Sequence, residues 1–302
     1  MITWLCWTRA GGDACGPSTE VSDYFHSKLL PRIRIYPLSF TSFMRNKLCK
    51  WSSVLLGLLI SSQSNATVLY VRYTSNEIII ATDSKRTAET GQTVCVCKLS
   101  KISDTFVASA GLAEYGSFDP KEFAREAIQS SDNLPEIRDK FEQLIQQPLI
   151  DVLIKLRKKN PARYAVFKQG AAVNMVFVRF GDVPELAATA LTPRDARDGS
   201  IVLDSHPITL NGPVKRALRI AVGISKRADA FLDRPSFWAN GTVAGVQHVM
   251  QLSIEDNTDA GGPIDVVQLS KGSVRWFPRE PECDERSRRI DEQSPSCNSS
   301  KH

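Results

Sequence analysis

A threonine, an aspartate and a lysine fall where their chemistry could combine: Thr67, Asp83 sixteen residues on, and Lys98 fifteen beyond that. Thr67 directly follows Ser64-Asn65-Ala66, which reads as the small-residue end of a cleavable export signal. A cut after Ala66 would make Thr67 an amino terminus. Such a threonine is nucleophile and base at once, its hydroxyl attacking while its own α-amine takes the proton. Asp83 closes an apolar run, and a buried aspartate needs a charged or hydrogen-bonding partner. Lys98, at the end of another apolar run, is the natural one, although pattern alone equally allows two separate rim charges.

The elements that must position these residues are strands. Thr67–Tyr73 and Glu77–Asp83 are rich in Val, Ile, Leu and Tyr, and Thr74-Ser75-Asn76 separates them, so they read as a β-hairpin with a three-residue loop. That loop sets Tyr73 opposite Glu77 and, by two-residue steps, Thr67 opposite Asp83, on one face of the hairpin. Both faces are largely apolar, which marks central strands covered on two sides. A polar loop follows, then strands over Thr93–Leu99 and Thr105–Gly111, the second ending in a glycine that permits close backbone approach.

This segment resembles the opening of a proteasome β-type subunit, or a bacterial relative, within the N-terminal nucleophile hydrolases. The residues that carry the likeness are Thr67, Ala81-Thr82-Asp83-Ser84-Lys85-Arg86, Lys98-Leu99 and Ala110-Gly111, and more weakly Gly261-Gly262-Pro263-Ile264-Asp265-Val266-Val267. The resemblance implies Thr67 as nucleophile, Asp83 and Lys98 as the charged pair beside it, and the Gly111 N–H as oxyanion donor. It also implies an α+β fold of four layers, the αββα sandwich of that family. The chain departs from the family where an Asp and a Ser normally support the terminus: the nearest positions hold Asn257 and Ala260. The Gly-Ser-Gly that supplies another supporting serine is echoed only by Gly223-Ile224-Ser225. The interval from Lys98 to Gly111 is one residue shorter than the common proteasomal spacing.

Upstream, residues 1–43 have no helical or strand period and read as a disordered or untranslated extension. Met44 opens the signal: Arg45, Lys47 and Lys50, the apolar core Val54–Ile60, and a polar stretch to Ala66. Its core is shorter than the ~20 apolar residues that span a bilayer, although an uncleaved anchor is the competing reading. Residues 67–277 then form the catalytic domain and 278–302 a polar, disordered tail. The net charge of +5 is concentrated in the leader: residues 1–66 carry seven Lys/Arg against three Asp/Glu, leaving 31 against 30 for the rest. A nearly neutral body offers no electrostatic footprint for nucleic acid or, once processed, for a membrane.

Further along, Asp119-Pro120 reads as a helix start. A second helical run covers Leu134–Lys159, partly interrupted at Pro148, and its basic end complements the helix dipole. Strands are expected over Ala172–Phe180 and Glu185–Leu191, a helix over Thr242–Ile254, and a closing hairpin over Ile264–Leu269 and Ser273–Phe277. Cys95 and Cys97 read as buried, inert thiols, and Cys283–Cys297 as a candidate disulfide. No metal motif, P-loop or dinucleotide fingerprint occurs, so no metal or cofactor is expected, and His248 reads as structural. The expected product is an exported, periplasmic or extracellular threonine peptidase or amidase acting on a peptide or small amide, with a homo-oligomer plausible from the family. Two alternatives stand beside it: a catalytically silent exported protein serving assembly or binding, and an acylase acting on a small non-peptide amide.

Overall fold

The computed structural model describes residues 67–87, 93–112, 115–232, 234–238 and 241–277. The extension at 1–43, the signal at 44–66, the tail at 278–302 and the Cys283–Cys297 pairing therefore lie outside the described residues. The chain is a mixed α/β fold of two main antiparallel sheets and five α-helices.

In order, the chain forms β1 (Leu69–Tyr73), β2 (Ile78–Asp83), β3 (Lys85–Thr87), β4 (Thr93–Cys95), β5 (Leu99–Ile102) and β6 (Thr105–Gly111). Helices α1 (Pro120–Ser130), α2 (Leu134–Lys159) and α3 (Pro161–Gln169) come next. Then follow β7 (Val173–Phe180), β8 (Pro184–Asp195), β9 (Ile201–Ser205), β10 (Ile208–Asn211) and β11 (Leu218–Val222). The chain continues with α4 (Lys226–Leu232), a 3-10 turn at Pro235–Trp238, α5 (Thr242–Glu255), β12 (Ile264–Ser270) and β13 (Ser273–Phe277). One sheet runs β11-β1-β2-β12-β13, the other β10-β8-β7-β6-β5 with β9 added on β8. The small β3-β4 ribbon stands apart.

Period-two alternation divides the side chains. Leu69, Val71, Ile78 and Ile80 of the first sheet share one buried cluster with Phe106, Ala108, Val176 and Val178 of the second. The opposite pleat of the first sheet, Tyr70, Ile79 and Ala81, packs with Val246, Val249 and Met250 of α5. The opposite pleat of the second, Val107, Met175 and Phe177, packs with Ile137, Phe141 and Ile145 of α2. Phe141 meets Phe177 edge-on, centroids 5.7 Å apart, a contact worth ~0.5–1.5 kcal/mol beyond its burial. β1 and β2 are central strands covered on both faces, as their composition required.

Several expectations change. The β1–β2 register sets Leu69 opposite Thr82 and Tyr73 opposite Ile78, one residue away from the expected pairing. The cause is a four-residue loop: Thr74 N–H donates to the Glu77 carbonyl at 2.9 Å, and the Thr74 hydroxyl accepts from Glu77 N–H at 3.0 Å. The expected strand over Thr93–Leu99 breaks into β4 and β5, with Lys98 at a bend between them. Cys95 and Cys97 are half-buried and disulfide-bonded, not buried free thiols. Helix α1 starts as read, Asp119 accepting from Lys121 N–H at 2.9 Å. Helix α2 runs through Pro148 without a break and ends on Arg157, Lys158 and Lys159.

Gly245, inside α5, has a packing reason for being glycine. A Cβ there would stand 2.6 Å from the Trp238 ring, whose Nε1–H is held by the Leu232 carbonyl at 3.0 Å. Gly245→Ala should therefore destabilise the protein by ~1–3 kcal/mol through overpacking, despite the better helix propensity of alanine. Chemical denaturation measures this, and a gain in stability would show that Trp238 moves aside freely.

A second prediction concerns pH. The buried Tyr73 hydroxyl lies 2.7 Å from both the Pro184 and Gly212 carbonyls, and burial chiefly pushes its pKa from 10.0 to about 12, with Glu185 adding to the shift. The fold keeps a proton that the unfolded chain loses, so this stabilisation is complete below pH 10 and is lost as pH rises towards about 12. The stability gap between wild type and Tyr73→Phe should accordingly narrow between pH 8 and pH 11 in unfolding titrations.

Candidate active site

Thr67 precedes β1, Asp83 ends β2, and Lys98 sits just before β5, so three separate segments deliver the three groups. The Lys98 ammonium donates to Thr67 Oγ1 at 3.0 Å and to Asp83 Oδ1 at 2.9 Å. All three are sealed from solvent, at 2%, 0% and 2% exposure for Thr67, Asp83 and Lys98. The expected direct opposition of Thr67 and Asp83 does not occur. With the register shifted, Val68 takes the place beside Asp83, whose N–H donates to the Val68 carbonyl at 3.1 Å. Lys98 then bridges the remaining distance.

Asp83 is fully satisfied. Its Oδ1 also accepts from Val68 N–H at 2.8 Å, and its Oδ2 accepts from Gly261 N–H at 3.1 Å. These donors replace the water shell that burial takes from the carboxylate. The Gly261 carbonyl returns the contact, accepting from Ser84 N–H at 3.2 Å and Lys85 N–H at 2.9 Å. Burial pulls the Lys98 ammonium below its ordinary value of 10.5, while the charge and hydrogen bond of Asp83 push it back up.

Gly111 belongs to β6, five strands after β1 in the chain. It ends β6 opposite Val173 with φ of +99°, and a Cβ would meet the Ala172 carbonyl oxygen. Among the described residues no hydrogen bond joins it to Thr67, Asp83 or Lys98. A second glycine proves to be the close neighbour of Thr67: Gly223, at φ of +68°, packs so tightly that a Cβ would overlap the Thr67 carbonyl oxygen. That role was hidden in the sequence, where Gly223-Ile224-Ser225 suggested a supporting serine. Ser225 Oγ instead accepts from Ala228 N–H at 3.1 Å, at the start of α4. Asn257 Oδ1 accepts from Asp259 N–H at 3.0 Å, and Ala260 is buried in the apolar cluster under α5.

Sequence reasoning also missed the place of Asp265. Asp265 lies opposite Thr82 in the β2–β12 pairing, and the Ser84 hydroxyl reaches its Oδ2 at 3.1 Å. Burial raises its pKa above the ordinary 3.8, with Asp83 raising it further and Ser84, Lys121 and Lys98 opposing. Asp265 stands within the Gly261–Val267 stretch, but only the pairing of distant strands brings it here. His248 packs among Phe231 and Phe237, a structural position. No group of metal-ligating side chains occurs among the described residues, and no helix there is long and apolar enough to cross a membrane.

No family model matches the chain, and no curated protein matches it. Similar solved structures are the Anbu (Gly-1) mutant and Anbu, both from Hyphomicrobium sp. strain MC1. The first is 13% identical with a TM-score of 0.41, covering 70% of this chain and 85% of that one. The second is 13% identical with a TM-score of 0.40, covering 69% and 85%.

The buried pair yields a test of its own. Breaking a buried ion pair by removing one partner leaves a charge without compensation, so Lys98→Met and Asp83→Asn should each cost ~3–5 kcal/mol. The double variant should cost well under the sum, because neither charge is then stranded. Denaturant titrations of all four proteins measure this, and additive losses would mean the two groups are not coupled.

Proposed function

We propose that the chain is an N-terminal threonine hydrolase of amide bonds, peptides being the substrate class, activated when processing after Ala66 frees the Thr67 amine. The single observation that carries the reading is the buried Lys98 ammonium, 3.0 Å from Thr67 Oγ1 and anchored by Asp83. A solvent-excluded cation on a threonine hydroxyl has no packing advantage over an apolar side chain. It does stabilise the negative charge that the oxygen acquires on attack. The two shared clusters under the helices, and the third common to both sheets, support the four-layer αββα arrangement of N-terminal nucleophile hydrolases.

In the reaction the Thr67 oxygen bonds to the substrate carbonyl carbon, and its proton passes to the α-amine, whose reference pKa of ~7.7–8.0 suits a base at neutral pH. Lys98 favours the developing alkoxide, and Asp83 keeps Lys98 oriented. Collapse breaks the carbon–nitrogen bond, and the α-ammonium returns its proton to the leaving amine. Water, deprotonated by the same α-amine, then attacks the ester and releases the acid. The Gly111 N–H is assigned the oxyanion, a donor of a kind whose loss typically costs ~10²–10³ in rate. Export places this activity in the periplasm or outside the cell, and a homo-oligomer is part of the reading.

A second reading, a catalytically silent binding or assembly protein, draws support from Asn257 and Ser225, whose side chains are engaged in local turns. One experiment separates the two. The protein recovered from its native compartment should begin at Thr67 and hydrolyse amide substrates, and Thr67→Ala should abolish turnover with an unchanged circular dichroism spectrum. An amino terminus upstream of Thr67, or undiminished activity in Thr67→Ala, would remove the proposed mechanism.

A further inference from the structure

Two acceptors compete for one proton at the end of β2. The Ser84 hydroxyl lies 2.7 Å from the Pro263 carbonyl oxygen and 3.1 Å from Asp265 Oδ2. A hydroxyl has a single hydrogen and a carbonyl has none to offer, so the shorter contact takes the Ser84 proton. Ser84 Oγ is then an acceptor towards Asp265. An ionised carboxylate has no hydrogen to give, and two bare oxygens 3.1 Å apart would repel. The contact is favourable when Asp265 is the neutral acid and donates to Ser84.

The surroundings of Asp265 agree. Burial is the first cause that disfavours its charge, and Asp83 on β2 adds to it. Lys98 ahead of β5, Lys121 on α1 and any share in the Ser84 proton act the other way, and the balance lies above the ordinary 3.8. Thr82, its direct partner on β2, gives the carboxylate no help: the buried Thr82 hydroxyl has no hydrogen-bond partner among the described residues.

Ser84 is tied twice to the turn after α5, through its hydroxyl to Pro263 and through its N–H to the Gly261 carbonyl at 3.2 Å. The same turn gives Gly261 N–H to Asp83 Oδ2 at 3.1 Å. Asp83 in turn holds the Lys98 ammonium that reaches Thr67 Oγ1. We infer that Asp265 is a positioning residue that works as a proton-operated latch on this chain of contacts. Neutral, it leaves the Ser84 hydroxyl to Pro263, and the turn stays closed on Asp83. Ionised, it is the stronger acceptor and draws the hydroxyl to itself, while the exposed Pro263 carbonyl turns to water. The turn then loses one of its ties to β2, and the clamp on Asp83 slackens as pH rises through the Asp265 titration. The meaning of the latch for catalysis rests on the threonine-hydrolase reading, but its test does not depend on turnover.

The test follows two signals by nuclear magnetic resonance between pH 4 and pH 9, in isotope-labelled protein recovered from its native compartment. The Asp265 carboxyl carbon, identified by its absence from Asp265→Asn, should titrate above the ordinary 3.8. Across that titration the protection of Gly261 N–H against hydrogen exchange should fall ~10-fold, the weight of one net hydrogen bond. Protonation of Asp83 would have the opposite sign, weakening the same bond as pH falls. Asp265→Asn, whose amide still donates to Ser84, should keep the protection high throughout. Ser84→Ala should remove the pH dependence at Gly261 while the Asp265 carboxyl still titrates, which separates a latch from a merely buried acid. A carboxyl that titrates at or below 3.8, a Gly261 profile shared by wild type and Asp265→Asn, or a pH dependence that survives Ser84→Ala would each overturn the inference. Failure of the hydrolase reading shows separately, as turnover that persists without Thr67.

Discussion

The Asp83 carboxylate is the constraint on which the rest depends. It is fully buried, and three donors from three parts of the chain converge on it: Val68 N–H, the Lys98 ammonium and Gly261 N–H. Burying a charge is costly unless every face of it is answered. These donors can answer it only if β1 enters beside β2, the bend before β5 folds inward, and the turn after α5 closes over the end of β2. One carboxylate thus fixes the relative positions of segments separated by as many as 178 residues. The apolar clusters supply the bulk of the stabilisation, but they are non-directional. Register at this end of the sheet is set by the polar contacts.

The same logic explains what could be read in advance. Asp83 and Lys98 announced themselves because polar residues closing apolar runs must find partners, and Thr67 because it follows the small residues Ser64-Asn65-Ala66. The long elements were legible for an equally plain reason: α2 is 26 residues with Asn133 capping one end and a basic cluster at the other. What failed was fine geometry decided by single hydrogen bonds. The Thr74 hydroxyl turned a three-residue loop into a four-residue one and moved every pair in the hairpin by one. Lys98 bends out of an apparently continuous strand because its ammonium is committed to Asp83 and Thr67.

Edge elements were missed for a different reason. β9, β10 and β11 are half-exposed, so their side chains lack the clean alternation that marks a covered strand. Helix α3 was hidden behind α2 because Asn160 serves both, closing one through its N–H and opening the next through its side chain. Asp265 stood within a recognisable stretch, but nothing in its spacing told of its neighbours. It enters the site by strand pairing, and such proximity is invisible to spacing along the chain.

The arrangement around Thr67 has one further property that bears on its chemistry. Its hydroxyl is held by Lys98, its carbonyl is pressed against Gly223, and the next residue is clamped to Asp83 through both backbone groups. Among the described residues, none of these contacts uses the Thr67 nitrogen. Were the nitrogen a structural donor, cleavage before it would loosen the site while creating the base. On the proposed reading, the contacts described for the hydroxyl, the carbonyl and Val68 would stay in place when the Ala66–Thr67 bond is cut. On that reading, pre-organisation of this kind would hold the Thr67 hydroxyl against its cation before the amine is freed.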